Sequence, residues 1–147
     1  MKIACDIDGM VKSYPEFFQY LIPGLQSEGC EVGLLTGIKE DQSEIVIDAF
    51  KKKGITLDFA YFKPEELNKL PNGVWKAVIC RYKKIDYLFD DFQHDNPEFV
   101  ADFIETIGDA TVPFTTIMSK NKPDANGNTL KDYVEEIIQY LEKNPIE

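Results

Sequence analysis

Asp6-Ile7-Asp8-Gly9 follows the short apolar run Ile3-Ala4-Cys5, so two carboxylates one residue apart leave what reads as a buried strand on its carboxyl side. Open parallel sheets bind their ligands at that edge, and a glycine directly after the acids lets the chain turn. Two other stretches have the same form: Thr36-Gly37 closes the run Glu31-Val32-Gly33-Leu34-Leu35, and Asp90-Asp91 follows Tyr87-Leu88-Phe89. If the strands are parallel, Asp6, Asp8, Thr36, Asp90 and Asp91 converge on one edge. Carboxylates brought together repel and raise one another's pKa unless a cation is present, and an oxygen-rich cluster suits Mg²⁺. With that ion bound, Asp6 can attack an electrophilic phosphorus and form an aspartyl phosphate. Asp8, at i+2 and so on the same face of an extended chain, is placed to protonate the leaving alcohol and later deprotonate the hydrolytic water. The Thr36 hydroxyl offers a donor to a phosphoryl oxygen, and a lysine would neutralise the remaining charge.

Strands and helices in alternation must position these groups, and the hydrophobic pattern predicts both. Tyr14 to Gly29 carries Phe17, Phe18, Leu21, Ile22 and Leu25 at helical spacing, interrupted at Pro23-Gly24, which predicts two short helices with a break. Glu31 to Thr36 reads as a second strand. Glu40 to Lys53, with Ile45, Val46, Ala49 and Phe50 on one face, reads as a helix capped by Gly54. Leu57 to Phe62 gives a third strand, Pro64 to Pro71 a loop or helical turn, Val74 to Lys84 a helix and Ile85 to Phe89 a fourth strand. A helix over Pro97 to Ile107 precedes a fifth strand, Thr111 to Met118, whose Pro113 suits an edge. After a loop at Lys120 to Asn128, Thr129 and Asp132 resemble a capping box, and the last helix shows Leu130, Tyr133, Val134, Ile137, Ile138 and Leu141 on one stripe that would pack on the sheet. Strand followed by helix throughout predicts an α/β fold. The expected form is a single Rossmann-like domain over residues 1–147, with a five-stranded, mostly parallel sheet and helices on both faces.

Size and charge narrow the function classes. A chain of 147 residues with 44% hydrophobic content can bury one core. A formal charge of -10, from 26 acids against 16 bases, opposes a sequence-independent grip on nucleic acid. No apolar stretch approaches the roughly 20 residues that span a bilayer, and no charged-then-apolar secretion signal is seen, so the expectation is a cytoplasmic protein with no membrane partner. Cys5, Cys30 and Cys80 have no C-x-x-C spacing and read as free thiols. Cys5 lies inside a strand with His94 as the one histidine that could activate it, so it is not expected to be a nucleophile. The basic runs at Lys51 to Lys53 and Arg81 to Lys84 fit solvated helix ends.

Taken in order, Asp6-Ile7-Asp8-Gly9 resembles the first motif of the haloacid dehalogenase (HAD) superfamily, Leu34-Leu35-Thr36-Gly37 its second, Lys76 its third and Leu88-Phe89-Asp90-Asp91 its fourth. The resemblance spans roughly residues 1 to 118. It implies a magnesium-dependent phosphomonoester hydrolase in which Asp6 is the nucleophile, Asp8 the acid/base that also gives a backbone carbonyl to the metal, Thr36, Gly37 and Lys76 the phosphate-binding set, and Asp90 with Asp91 the metal ligands. Lys83 and Lys84 are alternatives to Lys76, and Asp95 to Asp91. The intervals from the acidic turn to the second strand, and from Thr36 to Lys76, are filled by elements the core needs. No substantial cap is therefore expected, and the site would be open to a phosphorylated substrate unless a second copy of the chain supplies a lid. Met10 stands where the family usually has threonine or valine, which motivates an alternative: a catalytically silent HAD-like domain that binds a partner or a phosphorylated ligand.

Overall fold

Lys2–Cys5 forms the first strand, β1, because Ile3, Ala4 and Cys5 are apolar on successive faces and all three are buried, as in a strand inside a parallel sheet. The structure is a computed structural model and describes residues 1–90 and 127–146. Its contacts fall into two compact units, one built from residues 1–68 and the segment beginning at Lys84, the other from residues 69–83 and the C-terminal helix.

The first unit holds the sheet. β2 (Glu31–Lys39), β3 (Phe59–Lys63) and β4 (Tyr87–Phe89) join β1 in the order β3-β2-β1-β4, and every pairing is parallel. Among the described residues the sheet therefore has four strands; the fifth expected at Thr111 to Met118, like the helix expected at Pro97 to Ile107, lies outside them. One sheet face contributes Ile3, Cys5, Val32, Leu34 and Phe62 to a core closed by Phe18 and Ile22 of α1 (Pro15–Ser27) and Phe50 of α2 (Ser43–Lys52). The other face is fixed by Lys2. Its Nζ donates to the Tyr61 hydroxyl at 2.9 Å and lies over the rings of Phe59 and Tyr61, which stack 5.0 Å apart. Alternation then puts Lys2, Ala4 and Asp6 on the same face as Phe59, Tyr61 and Lys63.

Helix α1 corrects the expectation of a break. It runs through Pro23 without interruption. Pro23 is exposed, while Phe18 and Ile22 of the same helix are almost completely buried, so apolar burial before the proline offsets the roughly 3 kcal/mol that an internal proline costs. Helix α2 starts after a single 3₁₀ turn, Glu40–Gln42, and ends where expected. Gly54 takes φ +77, its N–H donates to the Lys51 carbonyl at 2.9 Å, and the Ile55 N–H donates to the Phe50 carbonyl at 3.1 Å. This reciprocal closure returns Ile55 to the core beside Phe50.

Gly33 is held to glycine for a different reason. It pairs with Phe59, and a Cβ at this position would stand 2.1 Å from the Phe59 carbonyl oxygen and 2.6 Å from its ring. Gly33→Ala is expected to push β2 and β3 apart at a cost of about 1–3 kcal/mol, the range for overpacking. A urea midpoint unchanged by the substitution would show that the two strands are not held this closely.

In the second unit, α3 (Asn72–Tyr82) packs against α4 (Leu130–Lys143). Helix α3 starts and ends two residues earlier than its pattern predicted. Lys84, at φ 54, reverses the chain just beyond it, so β4 begins at Tyr87 rather than Ile85. Helix α4 opens on the expected capping box: Thr129 Oγ1 accepts from the Asp132 N–H at 3.3 Å and the Asp132 carboxylate accepts from the Thr129 N–H at 2.8 Å. Ile137 and Leu141 are its buried residues, while Ile138 is 43% exposed. Among the described residues no helix is long and apolar enough to cross a membrane.

Candidate active site at the carboxyl edge of the sheet

Parallel pairing decides where the acids fall. Cys5 pairs with Leu34 of β2 and with Phe89 of β4, and the Asp6 N–H continues the second ladder by donating to the Phe89 carbonyl at 2.9 Å. Asp6 and Asp90 are thus each one residue past a matched pair, after neighbouring strands at one edge. Asp6 is 6% exposed and Asp90 half-buried.

Thr36 reaches the same edge by a route its sequence did not indicate. The strand does not stop at Thr36 but continues to Lys39, and four steps along β2 from Leu35 to Lys39 match two along β3 from Tyr61 to Lys63. Residues 36–38 form a bulge, a device that re-aims side chains next to functional sites. Within it Thr36 is 1% exposed and its Oγ1 accepts the Ile38 N–H at 3.2 Å. Gly37 lies in the middle of the bulge.

Burial sets this edge apart. Among the described residues four polar or charged side chains are buried: Asp6, Thr36, Lys63 and Lys76. Of the three in the first unit, Asp6 directly follows β1, Thr36 lies in the bulge of β2 and Lys63 ends β3. Burying a charge or a hydroxyl is unfavourable without specific partners, so each of these groups is held by its surroundings.

Asp8 is placed differently from its expected position. β1 ends at Cys5 and Ile7–Val11 coils into a π-helical turn, with the Val11 N–H donating to the Asp6 carbonyl at 3.4 Å and the Lys12 N–H to the Ile7 carbonyl at 2.9 Å. Asp6 and Asp8 therefore do not share a face of extended chain as expected, because only Asp6 is extended. A wide turn of this type is frequent at functional sites, and it leaves the Asp8 side chain 44% exposed with Lys12 Nζ 4.0 Å away. Asp8 is open to solvent, while Asp6 is shielded from it.

The electrostatics exclude Cys5 as a nucleophile. Burial, and secondarily the charge of Asp6, push its thiol from an ordinary 9.0 up to about 12. Because the folded state holds the proton more tightly than the unfolded chain, the associated stability is intact below pH 9 and is lost as pH rises from 9 towards 12. Cys5→Ala is expected to flatten that alkaline loss in a pH series of thermal melts; an identical slope in both proteins would contradict the assignment. The rim is acidic beyond the strands as well. Glu40 is raised above the usual carboxylate range by burial and then by the charge of Glu66, and Lys39 pairs with Glu65 at 3.6 Å.

Asp91, Asp95 and His94 lie outside the described residues. Lys76 is 3% exposed and belongs to the second unit. β3 runs one residue past the expected end at Phe62, to the buried Lys63 just before Pro64. As to a metal, a buried carboxylate next to a second one supplies hard oxygen donors of the kind Mg²⁺ takes. Among the described residues no three His, Cys, Asp or Glu side chains come together to complete such a set, and the further expected ligand, Asp91, is outside them. No protein-family model, curated protein or solved structure matches the chain.

Proposed function

We propose that the chain is a magnesium-dependent phosphomonoester hydrolase of the HAD type, working through an aspartyl phosphate on Asp6. The observation that carries this reading is the placement of buried Asp6 one residue beyond a β1–β4 pair, with Asp90 at the matching position and buried Thr36 on the adjacent strand. The finer form of the fold belongs to the same proposal: one Rossmann-like domain, a fifth strand at Thr111 to Met118, helices on both sheet faces and no substantial cap.

In the proposed reaction an Asp6 carboxylate oxygen attacks the phosphorus of the ester and the bond to the alcohol oxygen breaks. Asp8 gives its proton to that oxygen, then takes one from the water that attacks the same phosphorus, releasing inorganic phosphate and restoring the Asp6 carboxylate. Thr36, the Gly37 backbone and Lys76 would hold the phosphoryl oxygens. Mg²⁺, held by Asp6, Asp90 and Asp91 with the Asp8 carbonyl, would screen the repulsion between the attacking carboxylate and the phosphoryl group. The bulge keeps the Thr36 hydroxyl at the rim, and burial of Asp6 keeps bulk water from competing with the ester.

The test is a panel of phosphorylated metabolites and an aryl phosphate assayed with and without Mg²⁺. Turnover that requires the metal is expected for part of the panel, and no hydrolysis of any ester would overturn the reading. A second reading, binding without turnover, rests on Met10, which packs against the core and offers no hydroxyl. Stabilisation by Mg²⁺ in thermal melts with no hydrolysis would favour it. The cytoplasm is the proposed location, and a second copy of the chain the proposed lid.

A further inference from the structure

We propose that the groove between the Ile7–Val11 turn and α2 is a binding site for an amphipathic anion, an aliphatic chain ending in a carboxylate. The groove lies wholly within the first unit, and the proposal does not depend on the hydrolase reading. Its volume is about 290 Å³, at the small end of the roughly 300–1,000 Å³ that small-molecule pockets occupy, which suits one short chain. Ten residues line it, eight of them apolar and two of them lysines. Ile7 and Val11 of the turn, Phe50 of α2 and Ile55 beyond it are the buried members and form the floor. Lys12 and Lys53 are exposed and carry the groove's only charges among the described residues.

Two features separate this groove from an ordinary solvated surface. Ile45, Ala49 and Lys53 recur at a spacing of four along α2 and its C-cap, so they share one row of the helix, and Ile45 is 68% exposed. A helix end favours a lysine at 53, but a row facing water does not call for isoleucine and alanine beside it. The second feature is charge. The chain has 26 acids against 16 bases, yet no acid lines the groove and both of its charged residues are cations. Lys12 Nζ stands 4.0 Å from Asp8, a long contact between exposed groups that is exchanged for another carboxylate at little cost. An apolar cleft with lysines at its mouth takes a chain whose tail is buried on the floor and whose carboxylate stays in water between them, so burial supplies affinity and charge fixes direction. A protein partner fits less well, because a stable interface uses about 20–30 residues a side, against ten here.

The experiment titrates decanoate, below its micelle concentration, into the wild-type chain, following heat by calorimetry and the methyl resonances of Ile45 and Val46. Saturable binding that shifts both resonances is expected. Ala49→Trp fills the groove and Ile45→Glu places an acid at its edge; both positions are exposed, and each variant is expected to lose affinity by roughly 10-fold or more with little change in melting temperature. Should one of the two fail to fold, the other decides. Lys12→Gln combined with Lys53→Gln is expected to weaken decanoate by about 10-fold, the loss of two exposed charge pairs, and to leave the affinity for decanol unchanged. No saturable binding by the wild type overturns the proposal, as does binding that survives both groove variants, or equal wild-type affinity for decanoate and decanol. A wild-type dimer that Ala49→Trp disperses, read by sedimentation, would make the groove an interface between copies and overturn the small-anion site. An acidic amphipathic helical peptide that displaces decanoate at lower concentration would make it a protein-docking surface and overturn it equally. None of these outcomes bears on hydrolysis, since Ile45, Ala49 and Lys53 have no part in the proposed reaction.

Discussion

Asp6→Asn is expected to remove magnesium-dependent phosphatase activity by a factor on the order of 10³ or more, because an amide oxygen is a far poorer nucleophile than a carboxylate. The same substitution should leave the metal-free fold at least as stable as the wild type. Asp6 is buried one residue past the β1–β4 pair, with Asp90 at the matching position of the neighbouring strand, and burial works against a charge that an amide would not carry. A rise in melting temperature combined with loss of turnover is the pattern of a strained functional group, since such groups trade stability for activity. A variant that loses both activity and stability would instead mark Asp6 as a structural residue. Retention of full activity would remove it from the mechanism.

Trp75→Ala is expected to produce the largest loss of stability of any single truncation in the second unit. Trp75 is fully buried in α3, and its removal deletes the largest buried side chain among the described residues. Truncations of this kind cost about 3–5 kcal/mol, through lost apolar transfer and the cavity left behind. In a chain of this size that corresponds to a fall of roughly 10 °C or more in melting temperature. Tyr20→Ala is the control, since Tyr20 is 82% exposed and its loss should stay within about 0.5 kcal/mol. A shift of only a degree or two for Trp75→Ala would mean that the interior around α3 is not packed as the structure has it.

The parts of this fold that could be read from the residues alone are those set by short-range physics. Ile3 to Cys5 and Leu88-Phe89 are short apolar runs that read as strands, and acids directly after them had to fall at strand ends. Gly54 closing α2 and Thr129 with Asp132 opening α4 were legible because both signals act within four residues. What was not legible depends on tertiary contact. Pro23 sits in an unbroken helix because residues of the same helix are anchored in the core, which no local rule contains. Thr36 looked like the tip of a strand, but pairing of Lys39 with Lys63 extends β2 and turns residues 36–38 into a bulge.

The candidate site divides along the same line. Asp6 and Asp90 were identified from their place after apolar runs, and parallel register brings them to matching positions. Asp8 was identified for a wrong reason: the extended-chain geometry invoked for it does not exist, and a π-helical turn carries it instead.

The central claim is that the Asp6 carboxylate becomes phosphorylated during turnover. Borohydride reduces an acyl phosphate to the alcohol, so quenching the enzyme with borohydride during steady-state hydrolysis of an aryl phosphate in Mg²⁺ should convert Asp6, and no other aspartate, into homoserine, read by mass spectrometry of the N-terminal peptide. Homoserine at position 6 that requires both ester and metal is the predicted result. Turnover with Asp6 unmodified, or with homoserine at another aspartate, would contradict it.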